Sequence, residues 1–275
     1  MKKTLLLGLA VFSGSLWADT THKLEQQWLV EGIRTPESVL YYQQGSGAFL
    51  FVSEIEGQPT EVDGKGGIAK VGVDGKILDQ DWVRGLNAPK GMGVYQDNLY
   101  VTDITEVVVI SISGGNIVQK IPVADSAFLN DIAVNKAGDV FVSDSQTGKV
   151  HRIRDGKVET YLSDIPSVNG LATVGDDLII GNDKLWRADS NKKLHLVAEG
   201  FAAQIDGIEM TAAGEYLISC WVGLMYYVHK DGRVELLQDS REEKINTADI
   251  GYNPEQRVVY VPNFFKNSVT AYHVK

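Results

Sequence analysis

Six stretches of this chain follow one plan: a polar residue, a short alternating strand, a turn and a second strand. The first strands begin at Pro36 (PESVLYY), Pro89 (PKGMGVY), Leu129 (LNDIAVN), Val168 (VNGLATV), Ile205 (IDGIEMT) and Ala248 (ADIGYNP). The second strands read FLFVSE, NLYVTD, DVFVSD, DLIIGND, EYLISC and VVYVPN, and turn sequences such as KAG, GD and AAG separate the pairs. Glu37, Lys90, Asn130, Asn169, Asp206 and Asp249 mark the six starts, at separations of 53, 40, 39, 37 and 43 residues. A strand-rich unit with that period cannot bury its apolar faces alone. Stacked units can, and the spacing is that of a β-propeller.

The later half of each unit reads as a hairpin, as in KVHRIRDGKVETYL (Lys149 to Leu162) and LMYYVHKDGRVELL (Leu224 to Leu237), with DG at the turn. The expected fold is therefore all-β, a six-bladed propeller with about four antiparallel strands per blade. A two-sheet sandwich has similar strand spacing but not six in-phase units, and no long window carries a 3.6-residue apolar period. The sixth unit ends after three strands, at SVTAYHVK, and HKLEQQWLV (His22 to Val30) is a spare strand at the other end. This N-terminal strand is expected to close the last blade and remove an open sheet edge. The long first interval holds a Gly-rich insertion, EIEGQPTEVDGKGG (Glu54 to Gly67).

The chain starts with Lys2 and Lys3, an apolar run TLLLGLAVF and SGSLWA ending on Ala18. This reads as a signal peptide over residues 1–18, followed by a single propeller domain over 19–275, and implies export to the periplasm. The apolar run is too short to span a bilayer. A net charge of -10 and the lack of a basic tract exclude nucleic acid as an expected partner. Cys220 is the only cysteine, so no internal disulfide forms, and it reads as a small buried apolar residue. A closed ring requires no partner subunit, so a monomer is expected.

In a propeller the innermost strand of every blade lines the central channel, so equivalent residues of all blades meet on one ring. The six marked positions are expected to meet at one mouth: carboxylates Glu37, Asp206 and Asp249, amides Asn130 and Asn169, and the cation Lys90. Singly, each Asn or Asp reads as a turn cap; the recurrence is what points to a site. Clustered acids need neutralisation, and a set of hard oxygens suits Ca2+, then Mg2+ or Mn2+, with Zn2+ tolerated. Lys90 is either an ion-pair partner of Glu37 or a replacement for the metal. Asp103, Asp144 and Asp183, at the ends of second strands, are expected to hold blade turns through backbone N–H groups. His151, His195, His229 and His273 lack metal-like spacing and read as structural or surface residues.

The stretches LNDIAVNKAGDVFVSD, VNGLA, IDGIEM and PESVLY together resemble the gluconolactonase / senescence marker protein / luciferin-regenerating enzyme superfamily, over roughly residues 30 to 273. The resemblance implies one divalent cation in the channel, held by Glu37, Asn169 and Asp206, with Asn130 a fourth ligand or a substrate contact. Family sugar lactonases carry an arginine where this chain has Phe128, so an aldonolactone substrate is not specifically implied. The resulting expectation is a metal-dependent hydrolase of a small-molecule lactone or related ester. Asp206 would be the base, with Asp249 second, and Lys90, Asn130 and Phe128 would contact substrate. Phe128 and Trp221 would shape the mouth, and the insertion would cover it. The alternative is a non-catalytic propeller that binds a small molecule or a protein.

Overall fold

The structure is a computed structural model describing residues 21–45 and 47–275, so the expected signal peptide lies outside the described residues. After β1 (Leu24–Glu31), each of the first five blades takes four consecutive strands. The first has β2 (Pro36–Gln44), β3 (Gly47–Glu54), β4 (Gly66–Gly72) and β5 (Ile77–Leu86). The second has β6 (Pro89–Tyr95), β7 (Asn98–Asp103), β8 (Glu106–Ser111) and β9 (Asn116–Pro122). The third has β10 (Leu129–Val134), β11 (Val140–Asp144), β12 (Lys149–Arg154) and β13 (Lys157–Leu162). The fourth has β14 (Leu171–Val174), β15 (Asp177–Gly181), β16 (Leu185–Ala188) and β17 (Leu194–Ala198). The fifth has β18 (Ile208–Met210), β19 (Tyr216–Cys220), β20 (Leu224–Val228) and β21 (Val234–Asp239). The sixth has β22 (Gly251–Asn253), β23 (Val258–Pro262) and β24 (Ser268–Val274), with β1 as its outermost strand in the order β1-β24-β23-β22. The closing strand pairs antiparallel from Leu24 opposite Val274 to Glu31 opposite Ser268. The all-β, six-bladed fold and its closure by an N-terminal strand are as the repeats predict.

The blades stay together because each buries both faces. In β8, Val107 and Val109 pack with Leu129, Val140 and Val142 of the third blade. The alternate residues Val108 and Ile110 pack with Phe51 and Ile68 of the first blade. Side chains alternate across a strand, so a run such as VVVI serves two interfaces at once. Equivalent clusters lie between the third and fourth, fourth and fifth, fifth and sixth, and sixth and first blades. A further small cluster, Ile55, Ala88, Ile104, Ala248 and Phe264, sits beneath one mouth of the channel.

Turn-holding acids recur as expected, with one substitution. Asp103 accepts from the backbone N–H groups of Asn87 and Ala88 at 2.9 and 2.8 Å. Asp144 accepts from Ala127 and Phe128, both at 3.0 Å. In the fourth blade this place belongs to Asn182 rather than Asp183: the Asn182 amide donates to the Pro166 carbonyl at 3.3 Å, while Asp183 is exposed. Past the end of β15 at Gly181, Asn182 is buried and Asp183 is the next residue out, in solvent.

Candidate functional site

Glu37, Lys90 and Asn130 are the second residues of the innermost strands of the first three blades, and Asn169 and Asp206 lie two residues before those of the fourth and fifth. All five line one cavity of about 410 Å³, together with Phe128 and Trp221. Their backbones share a register: Asn169 N–H donates to the Gly181 carbonyl, Asp206 N–H to Ser219 and Ala248 N–H to Pro262. The sixth place on the ring therefore belongs to Ala248. The expectation that Asp249 completes this ring is corrected by one residue. Asp249 instead shares its tier with Ser38, and its backbone is bridged to the first blade by Asp249 N–H to the Glu37 carbonyl and Val39 N–H to the Asp249 carbonyl, both 3.0 Å. A one-residue shift along a strand turns a side chain to the other face, and Asp249 lines a separate cavity of about 340 Å³ toward the other end of the channel.

The tier below the ring explains two glycines. A Cβ on Gly170 would come within 2.2 Å of the Asp206 carbonyl oxygen, and one on Gly207 within 2.6 Å of the Ile250 nitrogen. Backbones of neighbouring blades approach too closely there for any side chain. Where the spacing opens, polar groups stitch the blades instead. Asp131 accepts from Leu171 N–H of the fourth blade at 2.6 Å, and the Ser38 hydroxyl donates to Asp249.

At the ring, Asn169 Nδ2 donates to Asp206 Oδ1 at 2.6 Å. Asn130 Nδ2 donates to Ser145 Oγ at 3.2 Å. Glu37 Oε2 and Asn169 Oδ1 are buried and have no hydrogen-bond partner among the described residues. Buried acceptors left open are costly. Burial, reinforced by the Asp206 charge, raises the Glu37 carboxyl well above its ordinary range. Burial also lifts Asp206 to about 7, against the opposing hydrogen bond from Asn169.

Lys90 is 1% exposed, yet it forms no ion pair with Glu37. Its ammonium donates to the carbonyls of Ala88 at 2.9 Å and Pro59 at 3.0 Å, and lies 4.5 Å from the centre of the Phe128 ring. Burial lowers its pKa, while Glu37 and then Asp103 oppose that shift. The lysine is thus tied to the wall and to the insertion. Gly57, Gln58 and Pro59 of that insertion line the cavity, so it does cover part of the mouth.

Sequence reasoning missed two aromatic residues here. Phe264 and Phe265 lie on a single 3-10 turn (Phe264–Lys266) that follows β23 and complete the cavity wall. Trp221 meets Phe264 and Phe265 edge-on at 5.5 and 5.7 Å. Phe264 has a φ of 35°, a strained conformation for an aromatic residue, and its side chain is buried in the cluster beneath the mouth. The NFFKN sequence, two aromatics breaking the strand pattern, was the available signal.

The donor set tests well for a hard divalent cation. Two orphaned oxygens and the neighbouring Asp206 carboxylate belong to residues that line one cavity, and all are oxygen ligands. Cys220 is buried, and burial pushes its thiol up to about 12, leaving an inert group. Of the histidines, His195 faces Asp189 at 2.9 Å away from the cavity, as expected of a surface residue. His229, however, meets His22 and Glu235 in a cluster that its sequence spacing did not reveal.

Fold and site together define a six-bladed propeller with a buried polar ring under an aromatic mouth. The same fold is found in a structure described as a proposed gluconolactonase, at 15% identity and a TM-score of 0.67, covering 93% of each chain. A streptogramin B lyase structure matches at 12% identity and a TM-score of 0.64, over 93% of this chain and 99% of the other. A catalytically inactive histidine-to-alanine variant of virginiamycin B lyase from Staphylococcus aureus, with quinupristin, matches at 11% identity and a TM-score of 0.63, over 92% and 99%. No protein-family model matches the chain, and no curated protein matches it by sequence. The resemblance drawn from the sequence is thus supported at the level of the fold.

Proposed function

We propose that this protein is a divalent-cation-dependent hydrolase of a lactone or related ester, exported to the periplasm and active as a monomer. The observation that carries this reading is the pair of buried oxygens unpartnered among the described residues, Glu37 Oε2 and Asn169 Oδ1, which with Asp206 line the aromatic-rimmed cavity. Glu37, Asn169 and Asp206 would hold the cation, Ca2+ first among the candidates, with Asn130 as a fourth ligand or substrate contact. Bound there, the cation would polarise an ester carbonyl and stabilise the developing oxyanion.

The chain's own residues supply the rest. Asp206 is also the candidate base: burial lifts its carboxyl to about 7 in the metal-free ring, and a cation held beside it would favour the ionised, proton-accepting form. Asp249 is withdrawn from that role, because it serves the other cavity. Lys90 and Phe128 form one wall, and Trp221, Phe264 and Phe265 give an apolar surface that excludes water from the bound ester. The lyase neighbours offer a different chemistry. One of them is inactive as a histidine-to-alanine variant, whereas among the described residues no histidine lines this cavity, which favours hydrolysis over a lyase reaction here.

The test is metal analysis of the purified protein, followed by a panel of lactones and aryl esters with added Ca2+, Mg2+, Mn2+ or Zn2+. One bound divalent ion, lost together with turnover in Asp206→Ala, supports the reading. An intact fold that binds the panel compounds without turnover under every metal would make it a binding propeller.

A further inference from the structure

A second cluster of ligating side chains lies outside the channel, where the segment just ahead of β1 meets the fifth blade. His22 precedes β1, His229 follows β20, and Glu235 sits on β21 opposite Tyr227. His22 Nδ1 lies 2.9 Å and His229 Nε2 lies 3.0 Å from the same atom, Glu235 Oε2. The three ligand atoms are all within 4.8 Å of one another. On a tetrahedron with ordinary zinc bond lengths, ligand atoms stand about 3.3 Å apart. The two nitrogen–oxygen separations at Glu235 need to lengthen by only a few tenths of an ångström to match it.

The surroundings orient these ligands. His22 also donates its backbone N–H to Glu235 Oε1 at 2.7 Å, so both oxygens of the carboxylate are engaged from one residue. The His22 ring stacks on Tyr227 at 3.7 Å between centroids. His229 turns its other nitrogen, Nδ1, toward Glu215 Oε1 at 3.7 Å, and Glu215 Oε2 accepts from the Tyr227 hydroxyl at 2.7 Å. A carboxylate behind a ligating imidazole is the usual support that fixes its orientation and raises its basicity. A neighbouring cavity of about 420 Å³, lined by His22, Glu215, Tyr227 and Arg257 among others, leaves room for water as a further ligand.

We propose that His22, His229 and Glu235 form a site for a borderline transition metal, Zn2+ first, that clasps the segment just ahead of β1 to the fifth blade. Two imidazoles and one carboxylate suit Zn2+, Cu2+ or Ni2+ and not Ca2+, so this site and the oxygen-lined channel select different ions. The clasp is structural. It joins the segment ahead of the sixth blade's outermost strand to a different blade, beyond the pairing of β1 with β24 that closes the ring.

The test is a titration of the full protein with Zn2+, with any oligohistidine tag removed, read by calorimetry, metal content and melting temperature. The expected result is one Zn2+ per chain and a raised melting temperature. His229→Ala and Glu235→Gln should each weaken binding at least about a hundredfold. His22→Ala, changed ahead of the first strand, gives a third variant should either of those fold poorly, and circular dichroism verifies each fold. His195→Ala, at the unrelated His195–Asp189 pair, should bind normally. Asp206→Ala should keep the Zn2+ while losing any ion held in the channel. Absence of stoichiometric Zn2+ binding, or binding that survives all three clasp variants, would overturn the proposal and leave a hydrogen-bonded histidine pair.

Discussion

The two ends of the central channel hold similar chemistry put to different uses. Both are lined by buried acids whose carboxyls are lifted by burial: Asp206 to about 7 at one end, Asp131 and Glu209 to about 8 toward the other. Asp131 and Asp249, however, already have partners in neighbouring blades, through Leu171 N–H and the Ser38 hydroxyl. Glu37 Oε2 and Asn169 Oδ1 have none, and they face a cavity with aromatic walls. Buried acidity alone therefore does not mark the site. An acid that stitches two blades has spent its lone pairs, whereas one that awaits a ligand still has them open.

That contrast is broken most directly by exchanging which acid is removed. Asp206→Ala should lower divalent-ion affinity by about a hundredfold or more and abolish ester turnover. Asp249→Ala should leave affinity within about twofold but cost roughly 1–3 kcal/mol of stability, because the Ser38 hydroxyl loses its acceptor. Calorimetric metal titration and denaturant melts on both variants check this. Equal loss of metal binding in the two would erase the distinction between the ends.

Removing the lysine sharpens the comparison from the other direction. Lys90→Met takes a positive charge from beside the oxygen set and should raise divalent-ion affinity several-fold, by roughly 1 kcal/mol or less. It also removes the hydrogen bond to Pro59, so the insertion should become more accessible to protease. Unchanged or weaker affinity in a folded Lys90→Met protein would mean that the ammonium helps hold the ligand instead.

The pH response separates the ends again. The folded pKa values of Asp206, Asp131 and Glu209 lie above the ordinary carboxyl range near 4. Their contribution to stability is thus complete below about pH 4 and is lost as pH rises through about 7 to 8. The metal-free protein should lose melting temperature between about pH 5 and pH 8. Added Ca2+ should recover part of that loss, and more at the upper pH, because it neutralises only the Asp206 end. Thermal melts with chelator or Ca2+ across that range measure it, and a Ca2+ effect that grows as pH falls would contradict the assignment.

The smallest effect is expected at the rim. Phe265 is 67% exposed, and Phe265→Ala should barely change stability while raising KM for a hydrophobic ester a few-fold. Steady-state kinetics on paired apolar and polar esters would show whether the aromatic wall contributes to binding.

Much of this arrangement was legible from the repeats. Asn130, Asn169 and Asp206 fall at equivalent places because the polar residue and the alternating strand recur together, and a ring of blades converts equal sequence phase into spatial convergence. Asp249 was misread for a local reason: the sixth unit has its acid one residue later, and only the bonding of Ala248 to Pro262 reveals the offset. Phe264 and Phe265 were missed because their placement depends on a strained turn outside the repeat.

The sequence by itself determined the number of blades, the strand that closes them and five of the six ring positions, because a period of about forty residues and a side-chain period of two are local properties. Tertiary structure alone decided which oxygens remain unpartnered, where the Lys90 ammonium is tied, and that His22 meets Glu235 across a separation of 213 residues. Those outcomes depend on how neighbouring blades dock, and docking is set by close packing over the whole ring rather than by any one segment.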